Sequence, residues 1–217
     1  MTEVFKKKKI FLDGLYTHST LLTPDIAHML QQVTNKVYLG LDNADDNILK
    51  KMGKGQKLDT VLKAIEIAKK AHLKVHLEWI IGTPEETVDS LITSLGAIFN
   101  LLMTGAVEDI NSYVYCPHPG TEYAENHTKY DLYIIEDFEG MQESGGYPAF
   151  ETPYLSRNQV FAAYLMSQLV IAETKLAREM YGPKSKVRPP NREELKQLFE
   201  KIGKESSLFK SIEGMRG

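Results

Sequence analysis

Cysteine is nearly absent from this chain of 217 residues: Cys116 stands alone. A single thiol rules out an intrachain disulfide and any C-x-x-C metal site. Long hydrophobic runs are missing as well. No stretch approaches the roughly eighteen apolar residues of a membrane span, and a charged segment, not an apolar core, follows Met1. These absences predict a cytoplasmic protein with no membrane partner. Charge of one sign is also lacking, because 26 Lys+Arg against 29 Asp+Glu leave a formal net charge of -3. That balance gives no nucleic-acid signal. There is no internal repeat, and no G-x-x-x-x-G-K-[ST] run to form a Walker loop.

What is present is ordinary globular material, 42% hydrophobic and 25% charged, enough to bury a core. Lys6 to Lys9 form a basic knot, and Pro183 to Gly217 carry nine Lys/Arg against five Asp/Glu. Both read as solvated faces.

Four segments have the texture of short buried strands: Ile10 to Tyr16, Lys36 to Leu41, Lys74 to Ile81 and Asp109 to Cys116. Helical patterns lie between them. Thr23-Pro24-Asp25 opens the first, with Ile26, Met29, Leu30 and Val33 as its apolar stripe. Asp59 precedes the second, whose face is Val61, Ala64, Ile65, Ala68 and Ala71. Thr83-Pro84-Glu85-Glu86 has the form of a capping box for the third, which carries Val88, Leu91, Ile92, Leu95 and Leu102. Strands alternating with helices over short connections predict an α/β fold with parallel strands, as an open sheet or a barrel.

Beyond Gly120 the pattern changes. Tyr123 to Tyr154 read as a loop, Ser156 with Gln159 starts a long helix ending at Tyr181, and Gly182-Pro183 stops it. A last amphipathic helix starts at Asn191, buries Leu195, Leu198, Phe199 and Ile202, and is expected to stop at Gly203.

Side chains alternate along a strand, so each strand offers two faces. Val75, Leu77, Trp79 and Ile81 should pack under helices and leave His76, Glu78 and Ile80 opposite. Val37, Leu39 and Leu41 oppose Tyr38, Gly40 and Asp42 in the same way. On the fourth strand Ile110, Val114 and Cys116 oppose Asn111, Tyr113 and Tyr115. The second face is polar, which fits an open barrel holding a polar ligand or an open sheet with one solvated face. Ligands of parallel α/β folds sit beyond the carboxyl ends of the strands. Asp42, Asn43, Gly82, Thr83 and Pro117 to Thr121 fall there.

Asp42 is placed to accept hydrogen bonds from a ribose diol or an amine, and Asp45 and Asp46 to start a helical turn. Lys54, between Gly53 and Gly55, turns the chain or touches an anion. A helix-to-strand junction separates His72 from His76, so they are not read as a metal pair. Cys116 is expected to be a buried inert thiol. His18 and His118 lie in strand-end loops, as proton shuttles or solvated side chains.

Taken in order, "VYLGLDNADDNILKKMGKGQ", "AIEIAKKAHLKVHLEWIIGTPEETVDSL" and "YVYCPHPGTEY" resemble the radical S-adenosylmethionine (radical SAM) superfamily, in particular its cobalamin-domain-linked and methylthiotransferase-like branches. Gly40, Leu41 and Asp42 stand for its Gly-Leu-Glu strand end and Lys54-Gly55 for its Lys-Gly loop. Gly82, Pro84, Glu86 and Thr87 stand for G-x-P-G-E-T, and Pro117, Pro119, Gly120 and Thr121 for P-x-P-G-T.

The resemblance implies a partial (β/α) barrel. It places Asp42 and Asn43 near the ribose or methionine part of SAM, has Glu78, Ile80, Tyr115 and Pro117 line the cofactor cavity, and makes Glu86 a helix cap. In the family a C-x-x-x-C-x-x-C loop holds a [4Fe-4S] cluster through thiolates, and SAM is cleaved to a 5'-deoxyadenosyl radical. Cobalamin also serves some branches. This chain carries no such loop. The resemblance therefore implies the second half of the core: a partial barrel over 1–122, a loop and long helix over 123–182, and a basic tail over 183–217. It would be inactive alone and would need a partner chain, or the missing half, to supply the cluster. A non-catalytic scaffold with the same fold, and an unrelated (β/α) enzyme for a phosphorylated metabolite, are the alternatives.

Overall fold

The computed structural model describes residues 2–135, 147–183 and 188–213, leaving aside the side chains of 2, 6 and 205–213. The middle of the expected 123–154 loop and parts of the basic tail lie outside the described residues.

The main sheet has four strands in the order β1 (Leu15–Thr17), β2 (Lys36–Asp42), β3 (Lys74–Ile81) and β4 (Asp109–Val114). β1 pairs with β2 and β2 with β3 in parallel, while backbone bonds from Glu108 N–H to Val75 and from Tyr115 N–H to Ile81 bracket β4. Sequence order equals spatial order, as right-handed crossovers in one direction require. The helices are α1 (Thr2–Lys7), α2 (Pro24–Leu30), α3 (Asp46–Lys51), α4 (Leu58–Lys70), α5 (Val88–Met103), α6 (Glu122–Glu125), α7 (Arg157–Tyr181) and α8 (Arg192–Glu213). An antiparallel pair of two-residue strands, β5 (Tyr133–Ile134) with β6 (Phe150–Glu151), forms a second sheet.

The chain forms two compact units: Met1–Trp79, Ala97–Asn111 and Ile171–Val187 make one, and Ile80–Gly96, Ser112–Val170 and Arg188–Gly217 the other. In the first, Val37, Leu39, Leu41, Val75, Leu77 and Trp79 are buried, as their alternation predicts, together with Val61, Ala64, Ile65 and Ala68 of α4. Arg178 spans from α7 to the carbonyls of Leu102 and Val107, adding to the backbone bonds that Gly105 and Ala106 N–H already make at the end of α5. In the second unit, Leu91, Ile92 and Leu95 of α5 are buried, as are Val160 and Ala163 of α7, and Ser112 meets Ser167 at 2.6 Å.

Several sequence expectations need correction. The first strand spans Leu15–Thr17 only; Ile10 and Phe11 are exposed, and Leu12 makes an isolated bridge to Thr34. α2 buries Ala27 and leaves Met29 exposed, so the small residue sets its contact face. α5 begins at Val88, not at Thr83. Its cap is the reciprocal pair Thr87 and Ser90, in which Ser90 N–H reaches Thr87 Oγ1 at 3.2 Å and Thr87 N–H reaches Ser90 Oγ at 2.9 Å. α8 runs through Gly203 to Glu213, and Leu198 on it is exposed. Gly203 is a contact glycine: a Cβ there would lie 2.6 Å from Gln159 Nε2. Gln159 also caps α7, accepting from Ser156 N–H at 2.9 Å, while its amide donates to Phe199 O. Among the described residues α7 alone has the length and composition of a membrane span, a test that core helices of soluble proteins also pass.

Candidate functional site

In the first unit the exit of β2 is built around Asp42. Its backbone is left-handed, at φ 56, and the β2–β3 register slips between Gly40 and Asp42. A short aspartate tolerates that conformation better than bulkier residues do. The turn is closed locally: Asn43 is fully buried and its side-chain oxygen accepts from Asp45 N–H at 2.8 Å, while Asp45 caps α3 through Asn47 N–H at 2.8 Å. Asp45 and Asp46 thus start a helical turn, as expected, and Asp46 also accepts from Leu58 N–H at the start of α4.

Two residues hold the Asp42 carboxylate. Lys54 Nζ lies 3.1 Å from Oδ1, and Gln56 Nε2 lies 3.5 Å from Oδ2 and 3.0 Å from Gly40 O. The carboxylate side chain keeps 13% exposure. Lys54 therefore finds its anion within the chain, a pairing that spacing alone does not reveal.

The open face of the sheet carries a row of rings. Tyr16, Tyr38 and His76 are aligned by strand register. Tyr16 and Tyr38 stack with centroids 4.6 Å apart, and His76 meets the Tyr38 edge at 5.2 Å. Burial lowers the His76 pKa, more than Asp109 raises it. One position further along, Glu78 stands opposite Gly40 and accepts from Tyr16 Oη at 2.8 Å. Gly40 lies close under the carboxylate, since a Cβ there would stand a tight 3.1 Å from Asp42 Oδ2. His72 is exposed, and His18 is occupied in capping a single turn through Thr20.

In the second unit the exit of β3 is built around Gly82, at φ 89. A Cβ there would meet Val160 Cγ1 at 2.7 Å and Phe150 Cζ at 3.2 Å, so both backbone and packing demand glycine. Gly82 N–H donates to the buried Glu86 carboxylate at 2.6 Å, and Glu86 N–H returns to Thr83 O. Glu86 therefore latches the strand exit, and with α5 starting at Val88 it does not stand inside the first turn that the Thr83 capping box required.

Tyr115 packs edge-on against Tyr123 and Phe150, each with centroids 5.7 Å away. Tyr123 donates to Glu85 at 2.8 Å. Three atoms of this unit, Tyr115 Oη, Glu85 Oε2 and Thr83 Oγ1, are buried without a well-formed hydrogen bond among the described residues. Burial pushes the Tyr115 phenol up to about 12, against a smaller opposing influence of Thr121. It raises Tyr123 further, with the neighbouring Glu85 carboxylate adding to the effect. Ile80 is half-buried, Pro117 buried and His118 exposed. Cys116 is half-buried with its pKa raised by burial, the state of an unreactive thiol.

A [4Fe-4S] cluster does not fit these residues: one thiol is present, and the described residues hold no group of three or more His, Cys, Asp or Glu able to take a metal. The polar half of SAM would meet at the β2 exit a carboxylate already held by Lys54 and Gln56.

Residues 2–97 match the family model described as the Radical SAM superfamily, so the resemblance seen in the motifs holds for part of that domain. An uncharacterized protein from Methanocaldococcus jannaschii is 34% identical over 106 residues, 46% of this chain and 20% of the relative. A second, from Methanopyrus kandleri, is 28% identical over 107 residues, 48% of this chain and 20% of the relative. This chain thus spans one fifth of the length of either relative. Among solved structures, coproporphyrinogen III oxidase (HemN) from Escherichia coli, described as a radical SAM enzyme, superposes with a TM-score of 0.51 at 13% identity. The match covers 74% of this chain and 32% of that one, and it establishes likeness of fold.

Proposed function

We propose that this chain supplies the SAM-facing second half of a radical SAM core and works with a cluster-bearing segment that its own residues do not provide. The observation that carries this reading is the β2 exit. By the motif resemblance Asp42 takes the family's carboxylate position; Lys54 and Gln56 fix its orientation, and half-buried Glu78 stands opposite Gly40 beside it. Asp42 would accept from the ribose hydroxyls of SAM, and Glu78 would bound the cavity beside it. The radical chemistry rests on ligands supplied elsewhere.

The edge of the sheet supports a partner. β1 is the terminal strand of the order, so its outer edge has no strand among the described residues, and Ile10 and Phe11 lie exposed near it. An uncovered strand edge favours pairing with another strand. The partner proposed here is a parallel strand from the cluster-bearing half, in another chain or another part of the same protein.

A second reading has its own observation. The Asp42 carboxylate is already paired and mostly covered, the state expected where the fold is kept as a scaffold without chemistry. Calorimetric titration of SAM into the full chain separates the two. Binding that weakens at least tenfold in Asp42→Asn supports the SAM-facing role. Absence of binding, both alone and after anaerobic co-expression with a C-x-x-x-C-x-x-C chain, leaves the scaffold.

A further inference from the structure

We propose that the cleft between α3 and α4 binds a small phosphorylated, hydroxyl-bearing metabolite, at a place distinct from the Asp42 carboxylate. The cleft measures about 710 Å³ and is lined by Asp46, Asn47, Lys50, Gln56, Lys57 and Thr60, with Gly53 and Gly55 in its wall. That volume suits a compact metabolite.

Its chemistry is specific. Lys50 and Lys57 form no ion pair with any described residue, whereas Lys54, in the same loop, is taken by Asp42. The Asp46 carboxylate is engaged at Leu58 N–H and offsets one of the two lysine charges, which leaves the lining with a net positive charge. Lys57 occupies the N-cap of α4, a helix of 13 residues, and offers no side-chain oxygen to its first turn. The helix thereby adds its positive end to the same cleft.

The independent observation is Gln56. It lines the cleft with only 7% exposure, and its Nε2 is committed to Gly40 O. That bond fixes the amide orientation and leaves Oε1 buried without a donor among the described residues. A buried carbonyl without a partner costs free energy that a ligand hydroxyl would recover. Unpaired lysines and a buried acceptor in one lining describe a phosphomonoester whose organic part donates hydrogen bonds. Gly53 and Gly55, at φ 68 and 65, give the loop a path that keeps bulky side chains out of the cleft wall.

The test uses the whole chain and glucose 6-phosphate as probe, with glucose, inorganic phosphate and a single-stranded oligonucleotide as controls at constant ionic strength. Glucose 6-phosphate at ten times Kd should raise the Tm by roughly 3–5 °C, and inorganic phosphate should bind at least tenfold more weakly. Lys50→Gln and Lys57→Gln, both at exposed positions that leave folding intact, should each weaken binding about fivefold. Four outcomes with the small molecules and the variants overturn the proposal: no shift, an equal shift with glucose, an equal affinity for inorganic phosphate, or undiminished affinity in the Lys50→Gln/Lys57→Gln double variant. A preference for the oligonucleotide would overturn it in favour of a nucleic-acid contact. No arm uses SAM, so the result stands apart from the fate of the SAM-facing reading.

Discussion

The exits of β2 and β3 solve one geometric problem with opposite materials. At both exits the chain leaves the strand through a left-handed residue, Asp42 at φ 56 and Gly82 at φ 89. At Gly82 the reason is packing: Val160 and Phe150 fill the space a side chain would need. At Asp42 the reason is polar: the carboxylate earns its strained backbone by meeting Lys54 and Gln56. The first exit is a structural joint and the second a chemical one. The joint should be intolerant of substitution, and the chemical exit should change function before stability.

The largest effect expected from that contrast is at Gly82. Gly82→Ala adds a clash to an unfavourable φ and should cost about 3 kcal/mol in urea unfolding. Adding Val160→Ala should recover part of the loss if the clash dominates. Next is the latch. Glu86→Ala leaves Gly82 N–H buried without its acceptor, for a loss of about 2 kcal/mol, and Glu86→Gln should restore most of it.

A smaller effect appears as a pH dependence. The Tyr115 phenol is raised from 10.0 to about 12 in the folded chain, so the unfolded chain releases its proton first. Stability is then full below pH 10 and declines as pH rises through about 12. Unfolding at stepped alkaline pH should show this decline, and Tyr115→Phe should flatten it. The smallest effect is at the chemical exit. Asp42→Asn keeps the shape and loses a partly exposed ion pair, which should change stability by less than about 1 kcal/mol. A loss comparable to that of Gly82→Ala would break the comparison.

Much of this was legible in the chain. Alternation in "KVHLEWII" marked Lys74–Ile81 with its buried and open faces, and the structure has that strand with those faces. The four-strand α/β sheet and the radical SAM likeness followed from motif order. Where reading failed, the signal was ambiguous locally. Thr83 and Thr87 both stand three residues before a polar partner, and only the buried demand of Gly82 N–H drew Glu86 away from the helix. Gly203 looks like a helix stop until Gln159 lies against it. The β5–β6 sheet pairs two residues with two, too few to show a period.

The sequence by itself determined the period of each strand, the faces they bury, the class of fold and the family it resembles, because those signals repeat within a few neighbouring residues. Only the tertiary structure decided which partner each polar atom finds: Lys54 for Asp42, Gly82 for Glu86, and no well-formed hydrogen bond among the described residues for Gln56 Oε1 or Tyr115 Oη. Hydrogen bonds and ion pairs act over a few ångströms of space, and the distance along the chain does not say which groups will stand that close.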